Sequence, residues 1–381
     1  MAAAGSEDEY EEWLVESIRL YKDLHAFELH DPTRVIEWTG EKTVCVAGYE
    51  IGKRIEILEL QLPQKLYAKE NQGLCPERDF KVQHGCLSDQ PVWSLKHVPN
   101  TSLLLTSGPA SRALHVWQVS ADDSDVIKPM CPIHTENGGE NLWHRIDTIC
   151  TRIPCVLHGS KVNNVRVTEV ESHKHLYVLG LNSSCTISNL QYLDCNMFLA
   201  SCVNGQMYLV DIREEQRGGT NLEAPLRHGD EWCACLQSRE QGASASRHMI
   251  ASLSSSGRVE LTDLRNLSVP LKVARCRVSK AHSGRDFMCI TWAPFLEDCL
   301  AISGLDGTVQ VYDTQSWDMS GAEVQPLFVH KGHAIEGRSE DGNIPEVTTH
   351  VWHPWKPRTI LSSATDGSLH VWDWVDCRSA C

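Results

Sequence analysis

The sequence predicts an all-β fold, a seven-bladed β-propeller preceded by a short N-terminal amphipathic helix, and three observations carry the prediction. A five-part pattern occurs twice in the same order near the C-terminus. Short alternating apolar segments are joined by Asp-Gly, Asn-Gly and Ser-Gly pairs, which mark tight hairpins because glycine accepts the positive φ of a two-residue turn. Units of this grammar recur along the chain at roughly 42 to 60 residues, against about 40 to 45 for an ordinary blade repeat, and the excess falls in polar loops.

The N-terminal segment, residues 1–24, reads as a helix over 8–24. Tyr10, Trp13, Leu14, Ile18, Tyr21 and Leu24 recur at three- and four-residue steps, and Glu7, Asp8, Glu9, Glu11 and Glu12 suit the positive end of the helix dipole. Two fates are open to such a helix. It docks on its own propeller, or it lays Trp13, Leu14, Ile18 and Tyr21 in a groove of another protein. The acidic run could also imitate nucleic-acid phosphate at a basic channel, although most acidic termini are simply solvated.

The remainder, residues 25–381, is expected to be one propeller. Phe27-Glu28-Leu29 is the candidate strand that closes the ring against the last blade. A degenerate first unit holds residues 44–48 and 55–60. The second has His84-Gly85, 103–107 and 114–118. Residues 165–169 mark the third, 207–211 after Asn204-Gly205 the fourth, and 259–263 after Ser256-Gly257 the fifth, with His228-Gly229 near its start. The sixth runs from Ala281-His282 through Trp292-Ala293-Pro294 and Asp306-Gly307 to Tyr312-Asp313. The seventh repeats it with Gly332-His333, Trp352-His353-Pro354, Asp366-Gly367 and Trp372-Asp373. Stretches 121–141, 214–223, 238–247 and 335–346 read as surface loops.

These units resemble the WD-repeat family. In that family a buried network joins a loop His, a strand Ser or Thr, a turn Asp and a strand Trp. Matched position by position, the resemblance assigns His333, Ser362, Asp366 and Trp372 to the network of the last blade. The penultimate blade keeps His282 and Asp306 but has Ile302 and Tyr312 at the other two places, so its network is expected to be incomplete.

The formal charge of −15 and pI near 5.6 argue against sequence-independent binding of nucleic acid, and no basic run offers a local exception. The N-terminus lacks a signal-peptide pattern and no stretch approaches the roughly 18 apolar residues of a membrane span, so no membrane contact is expected and the expected compartment is cytosol or nucleus. The sixteen cysteines are then expected to be reduced and to pack as small apolar side chains. Cys233 with Cys235, His350 with His353 and His173 with His175 lack a second pair at zinc spacing, so no metal is expected. No phosphate loop, G-x-S-x-G elbow or kinase set is present. Neither a cofactor nor catalysis is expected, although Ser362, His333 and Asp366 have the residue types of a triad.

Asp211-Ile212-Arg213 and Asp263-Leu264-Arg265 resemble half of the motif by which some WD-repeat proteins dock on a cullin ubiquitin ligase. The Trp before the Asp is absent in both. That leaves a ligase substrate receptor as the alternative to a scaffold. Irregular segments at 13–17, 71–82, 124–128 and 369–375 are similar to one branch of the WD-repeat family. The similarity implies a mainly cytoplasmic adaptor that binds large proteins, namely subunits of the Integrator endonuclease module and tubulin or microtubule-associated proteins of the spindle pole.

Overall fold

The computed structural model describes residues 4–63, 79–109, 111–119, 125–135, 142–214, 229–237, 248–278, 287–336 and 344–375 of the chain. Alternation of apolar and polar residues makes short antiparallel meanders, and seven of them form separate sheets arranged as a propeller. Blade 1 holds Thr33–Trp38, Thr43–Gly48, Ile55–Gln61 and Lys81–Ser88. Blade 2 holds Ser94–His97, Leu103–Ser107, Ala113–Val119 and, on the outside, Ile127–Pro129 and Ile133–His134. Blade 3 has Arg145–Cys150, Pro154–Gly159, Arg166–Glu169 and His175–Val178, and blade 4 has Ile187–Tyr192, Met197–Cys202 and Met207–Asp211. Trp232–Leu236, Met249–Ser254, Arg258–Asp263 and Lys272–Arg275 make blade 5. Cys289–Trp292, Cys299–Ser303, Val309–Asp313 and Phe328–His330 make blade 6. Blade 7 takes Val347–Trp352, Thr359–Ala364 and Ser368–Trp374 from the C-terminus.

Its fourth strand comes from the other end of the chain. Tyr21–Glu28 pairs antiparallel with Ser368–Trp374, from Tyr21 opposite Trp374 to Glu28 opposite Ser368, and so closes the ring without a covalent link. This strand begins well before the expected Phe27. The helix correspondingly ends early: α1 spans Ala4–Leu20, so Tyr21 and Leu24 belong to the strand and the boundary falls between residues 20 and 21 rather than after 24. Pairing with blade 7 decides this, because helix and strand spacings agree over these residues and no Gly or Pro separates them.

Each blade is too thin to bury its own faces. Among the described residues, seven hydrophobic clusters fill the seven blade interfaces, one apiece; Leu157, Phe198 and Val210 join blades 3 and 4, and Leu253, Leu300 and Tyr312 join blades 5 and 6. The cluster between blades 6 and 7 also takes Trp13 and Leu20 from α1 and Tyr21 and Leu24 from the closing strand. The turn at Asp366-Gly367 shows why glycine stands there. Gly367 has φ +88°, and a Cβ would lie 2.7 Å from the Leu29 carbonyl oxygen, while the Leu29 N–H donates to the Gly367 carbonyl at 2.9 Å.

Two of the expected loops contain regular structure. Residues 121–141 include the outer strands of blade 2, and the stretch from 335 begins inside a short helix, α2 (Gly332–Glu336). His228, His282 and much of 71–78, 121–124, 215–228 and 238–247 lie outside the described residues.

Candidate functional site

In blade 7 the Ser362 hydroxyl lies in the second strand and Trp372 in the third, so their side chains meet across one face of the sheet. The Trp372 indole N–H donates to Ser362 Oγ at 3.1 Å, and Ser362 Oγ lies 2.9 Å from His333 Nε2. The other ring nitrogen, Nδ1, lies 2.7 Å from Ser368 Oγ, which donates to the Asp366 carboxylate at 2.6 Å. One proton arrangement satisfies every atom: Trp372 donates to Ser362, Ser362 to His333 Nε2, His333 Nδ1–H to Ser368, and Ser368 to Asp366. Asp366 therefore reaches His333 through Ser368 and not by direct contact. Burial, with His370 and His330 nearby, drives the His333 pKa far below its ordinary value, so the ring is neutral as this arrangement requires.

The same geometry is unsuited to nucleophilic chemistry. Ser362 and His333 have no solvent-exposed surface, and the third member of a triad would have to orient His333 itself, which Asp366 does not.

A second polar chain ties the N-terminal strand to this network. The Tyr21 hydroxyl lies 2.8 Å from His330 Nδ1, His330 Nε2 lies 3.0 Å from His370 Nδ1, and the His370 ring stacks on His333 at 3.9 Å with planes 11° apart. His330, His333 and His370 are close enough to suggest a metal cluster. The stack opposes that reading, because lone pairs lie in the ring planes and two nearly parallel rings do not aim them at one ion. Both His333 nitrogens are also engaged by serines.

Blade 6 replaces the network with residues of its own. The Tyr312 hydroxyl donates to Gln310 Oε1 at 2.5 Å, the Gln310 amide reaches Thr308 Oγ1 at 3.4 Å, and the Thr308 hydroxyl donates to Asp306 at 2.5 Å. His282 is outside the described residues, and Ile302 is buried apolar surface in the interface with blade 5. Blade 2 keeps an indole–hydroxyl pair that the sequence reading missed, Trp117 to Thr106 at 2.8 Å. The signal was present as a Thr and a Trp eleven residues apart, near the ten-residue separation of Ser362 and Trp372.

The helix residues separate by face. Trp13 is 6% exposed and Tyr21 is buried, both packed on the propeller, so neither is available to a partner while the ring is closed. Leu14, Val15 and Ile18 point outward, and Ile18 is 78% exposed. Arg213 and Arg265 project from the ends of blades 4 and 5, where each guanidinium grips the carboxylate two residues before it. Arg213 holds Asp211 at 2.5 to 3.2 Å, and Arg265 holds Asp263 at 2.7 and 3.0 Å. The fork that a ligase adaptor would engage is thus occupied from within the chain.

A central channel of about 590 Å³ is lined by the first strand of every blade. Glu37 and Lys96 form an ion pair in its wall between blades 1 and 2 at 3.0 Å, Asp147 accepts the Tyr192 N–H at 2.7 Å, and Cys233, Thr291 and His350 also line it. Burial pushes the Cys233 thiol above its ordinary range and holds His350 down at about 3, so both stay neutral. The thirteen described cysteines are all free thiols. No helix among the described residues is long and apolar enough to cross a membrane.

No protein-family model matches the chain. It is 48% identical to the Integrator complex assembly factor WDR73 of Xenopus laevis over 369 residues, 95% of this chain and 98% of that protein. The human protein of that name is 48% identical over 97% of this chain and 98% of its own length, and that of Danio rerio is 45% identical over the same shares. With this identity sustained from end to end, and with a ring of WD-type blades beneath it, the chain belongs to the WDR73 family.

Proposed function

We propose that this chain is a non-catalytic, protein-binding scaffold that takes part in assembling the Integrator complex, by holding subunits of its endonuclease module in the cytoplasm. The observation that carries the reading is the identity of 45 to 48% over nearly the full length of proteins named for Integrator assembly. The physical features agree with binding as the whole mechanism. Polar groups with catalytic residue types are spent on satisfying one another inside blade 7, and the rigid ring presents loops and one exposed helix face. The outer face of α1, with Leu14, Val15 and Ile18 flanked by Glu11, Glu12 and Glu16, is one contact in this reading.

The test is affinity purification of the tagged chain from cytosol with quantitative mass spectrometry, comparing it with an L14E/I18E variant. Recovery of Integrator endonuclease subunits by the unmodified chain, reduced in the variant, is the expected result. Recovery of cullin adaptors in their place would overturn the scaffold reading in favour of a ligase receptor. Sedimentation of the same preparation with microtubules tests the spindle association.

A further inference from the structure

Each blade is an antiparallel meander, so the connections between first and second strands and between third and fourth strands leave one face of the ring, and the second-to-third connections leave the other. Exposed large apolar side chains are divided unevenly between these faces. In blades 5 to 7 the first face displays Val269, Leu271, Phe295, Met319, Trp355 and Val375, with Phe295 47% and Trp355 49% exposed. Among the described loops of the opposite face only Ile51 and Ile344 are exposed in this way, with Leu87 and Val178 at its rim in the outer strands of blades 1 and 3. Phe295 and Trp355 belong to none of the clusters between blades, although Trp355 meets Trp38 edge-on at 6.4 Å, and half-exposed aromatic anchors of this kind dominate binding energy at protein interfaces.

The loops that carry these residues are stitched into one surface. The Thr314 N–H donates to the Asp298 carbonyl at 2.8 Å, which joins the Phe295 loop to the Met319 loop. Lys272 Nζ donates to the carbonyls of Thr314 and Gln315 at 2.8 and 3.2 Å, and the Val273 N–H to that of Asp318 at 2.7 Å, which joins the Met319 loop to blade 5. On the blade 7 side the Trp352 indole donates to the Thr291 carbonyl. A surface tied in this way loses little entropy on binding.

Its charge is one-sided across blades 5 and 6. Lys272 is spent on backbone carbonyls and Arg265 on Asp263, while Glu297 and Asp318 stand exposed; Glu323 lies away from this face, beside Arg275 on the outer edge of blade 5. The Ser320 hydroxyl and backbone hold the Asp318 carboxyl below its ordinary range, so it remains ionised. Lys356 and Arg358 lie at the far end, beside Asp373.

We infer that this acidic, apolar arc of blades 5 to 7 is a docking surface for a protein whose contact face is apolar at its centre and edged with lysine and arginine. The assignment rests on the proposed function, in which that protein is an Integrator subunit, and it places a contact on the ring itself in addition to α1. The experiment is the cytosolic purification above with three further full-length variants: F295D/W355D, E297K/D318K and, on the opposite face, I51D/I344D. Circular dichroism and melting temperature establish that each folds. The expected result is at least a tenfold loss of Integrator subunits with F295D/W355D, a loss with E297K/D318K that deepens at low salt, where like-charge repulsion is least screened, and no change with I51D/I344D. Capture that is undiminished in both F295D/W355D and E297K/D318K overturns the surface and leaves the proposed function standing. Absence of Integrator subunits from the unmodified chain overturns the function and this assignment with it.

Discussion

The order of donors in blade 7 makes a quantitative prediction that separates mediated from direct contact. Changing Ser368 to Ala removes the acceptor of the Nδ1–H of His333, a ring with no solvent-exposed surface. A buried donor left without a partner costs about 1 to 3 kcal/mol. Changing Asp366 to Ala removes an exposed carboxylate that holds the turn through the Ser368 N–H and hydroxyl but leaves the Ser368 oxygen in place to receive His333, so its effect should be about 0.5 to 1.5 kcal/mol. With an unfolding entropy of about 2 cal/mol/K per residue, the chain changes its melting temperature by about 1 °C for each 0.8 kcal/mol, which gives a fall of about 1 to 4 °C for S368A. The assay is denaturant and thermal unfolding of S368A, D366A and the double variant. Once Ser368 is gone, D366A should remove only the bond to the backbone N–H of residue 368, so the double variant should cost less than the two single changes together. If D366A is more damaging than S368A, or the two effects add in full, Asp366 acts on His333 directly and the donor chain is wrong.

Three other outcomes follow from the same structure. Burial holds the pKa of His350 near 3 and of His353 near 4, and drives His330 and His333 far down as well, while the unfolded rings titrate near 6.5; the unfolded chain alone takes up protons between those values, so stability should fall as pH drops below about 6.5, by up to about 1.4 kcal/mol per unit for each such histidine, read by denaturant midpoints between pH 7.5 and 5. W13A should destabilise by about 3 to 5 kcal/mol, because it empties a site in the cluster between blades 6 and 7, whereas L14E/I18E should stay within about 0.5 kcal/mol of the unmodified chain; equal effects would mean that α1 does not present these faces. Gly367→Ala should unfold the closing strand earlier than the rest in hydrogen exchange, since its Cβ would press on Leu29, and unchanged protection over residues 21–28 would count against that contact.

The fold was legible because the period-2 patterns and the glycine turns are local. Asn204-Gly205 and Asp366-Gly367 fall at hairpins with φ of 83° and 88° at the glycines, and the strand segments marked in the seven units lie in seven different sheets, whereas His84-Gly85 of the second unit lies in the outer strand of blade 1. What escaped depended on distant parts of the chain. Leu24 continues the three- and four-residue steps of Leu14, Ile18 and Tyr21 equally well, and only the edge of blade 7 makes it a strand residue. Ile127 and Ile133 are separated by Pro129 and Pro132, which argue against a strand, and join the sheet because the third strand of blade 2 offers an open edge. Ser368 was overlooked because the family pattern names four residues and the intermediary is a fifth; the sequence Asp-Gly-Ser at 366–368 was its only signal.

The seam between blades 6 and 7 concentrates more specific structure than the other interfaces, and the topology gives the reason. Every blade, including the pair at this seam, is joined to the next by continuous chain, and the break falls inside blade 7, between its third and fourth strands. Here the fourth strand of blade 7 is held only by pairing and packing, and its loss would expose the row of unpaired backbone groups along Ser368–Trp374. Pairing alone tolerates a slip along the strand. The Tyr21 hydroxyl on His330 tolerates none, because a one-residue shift turns Tyr21 to the opposite face and strips both the hydroxyl and the ring contacts with Phe328 and Trp372. Trp13 then extends the same seal onto α1, whose outer face is thereby held in a fixed position beside blade 7. The residues that close the ring are thus also those that aim the exposed helix face, so loosening Tyr21 should weaken partner capture before it lowers the stability of the other six blades.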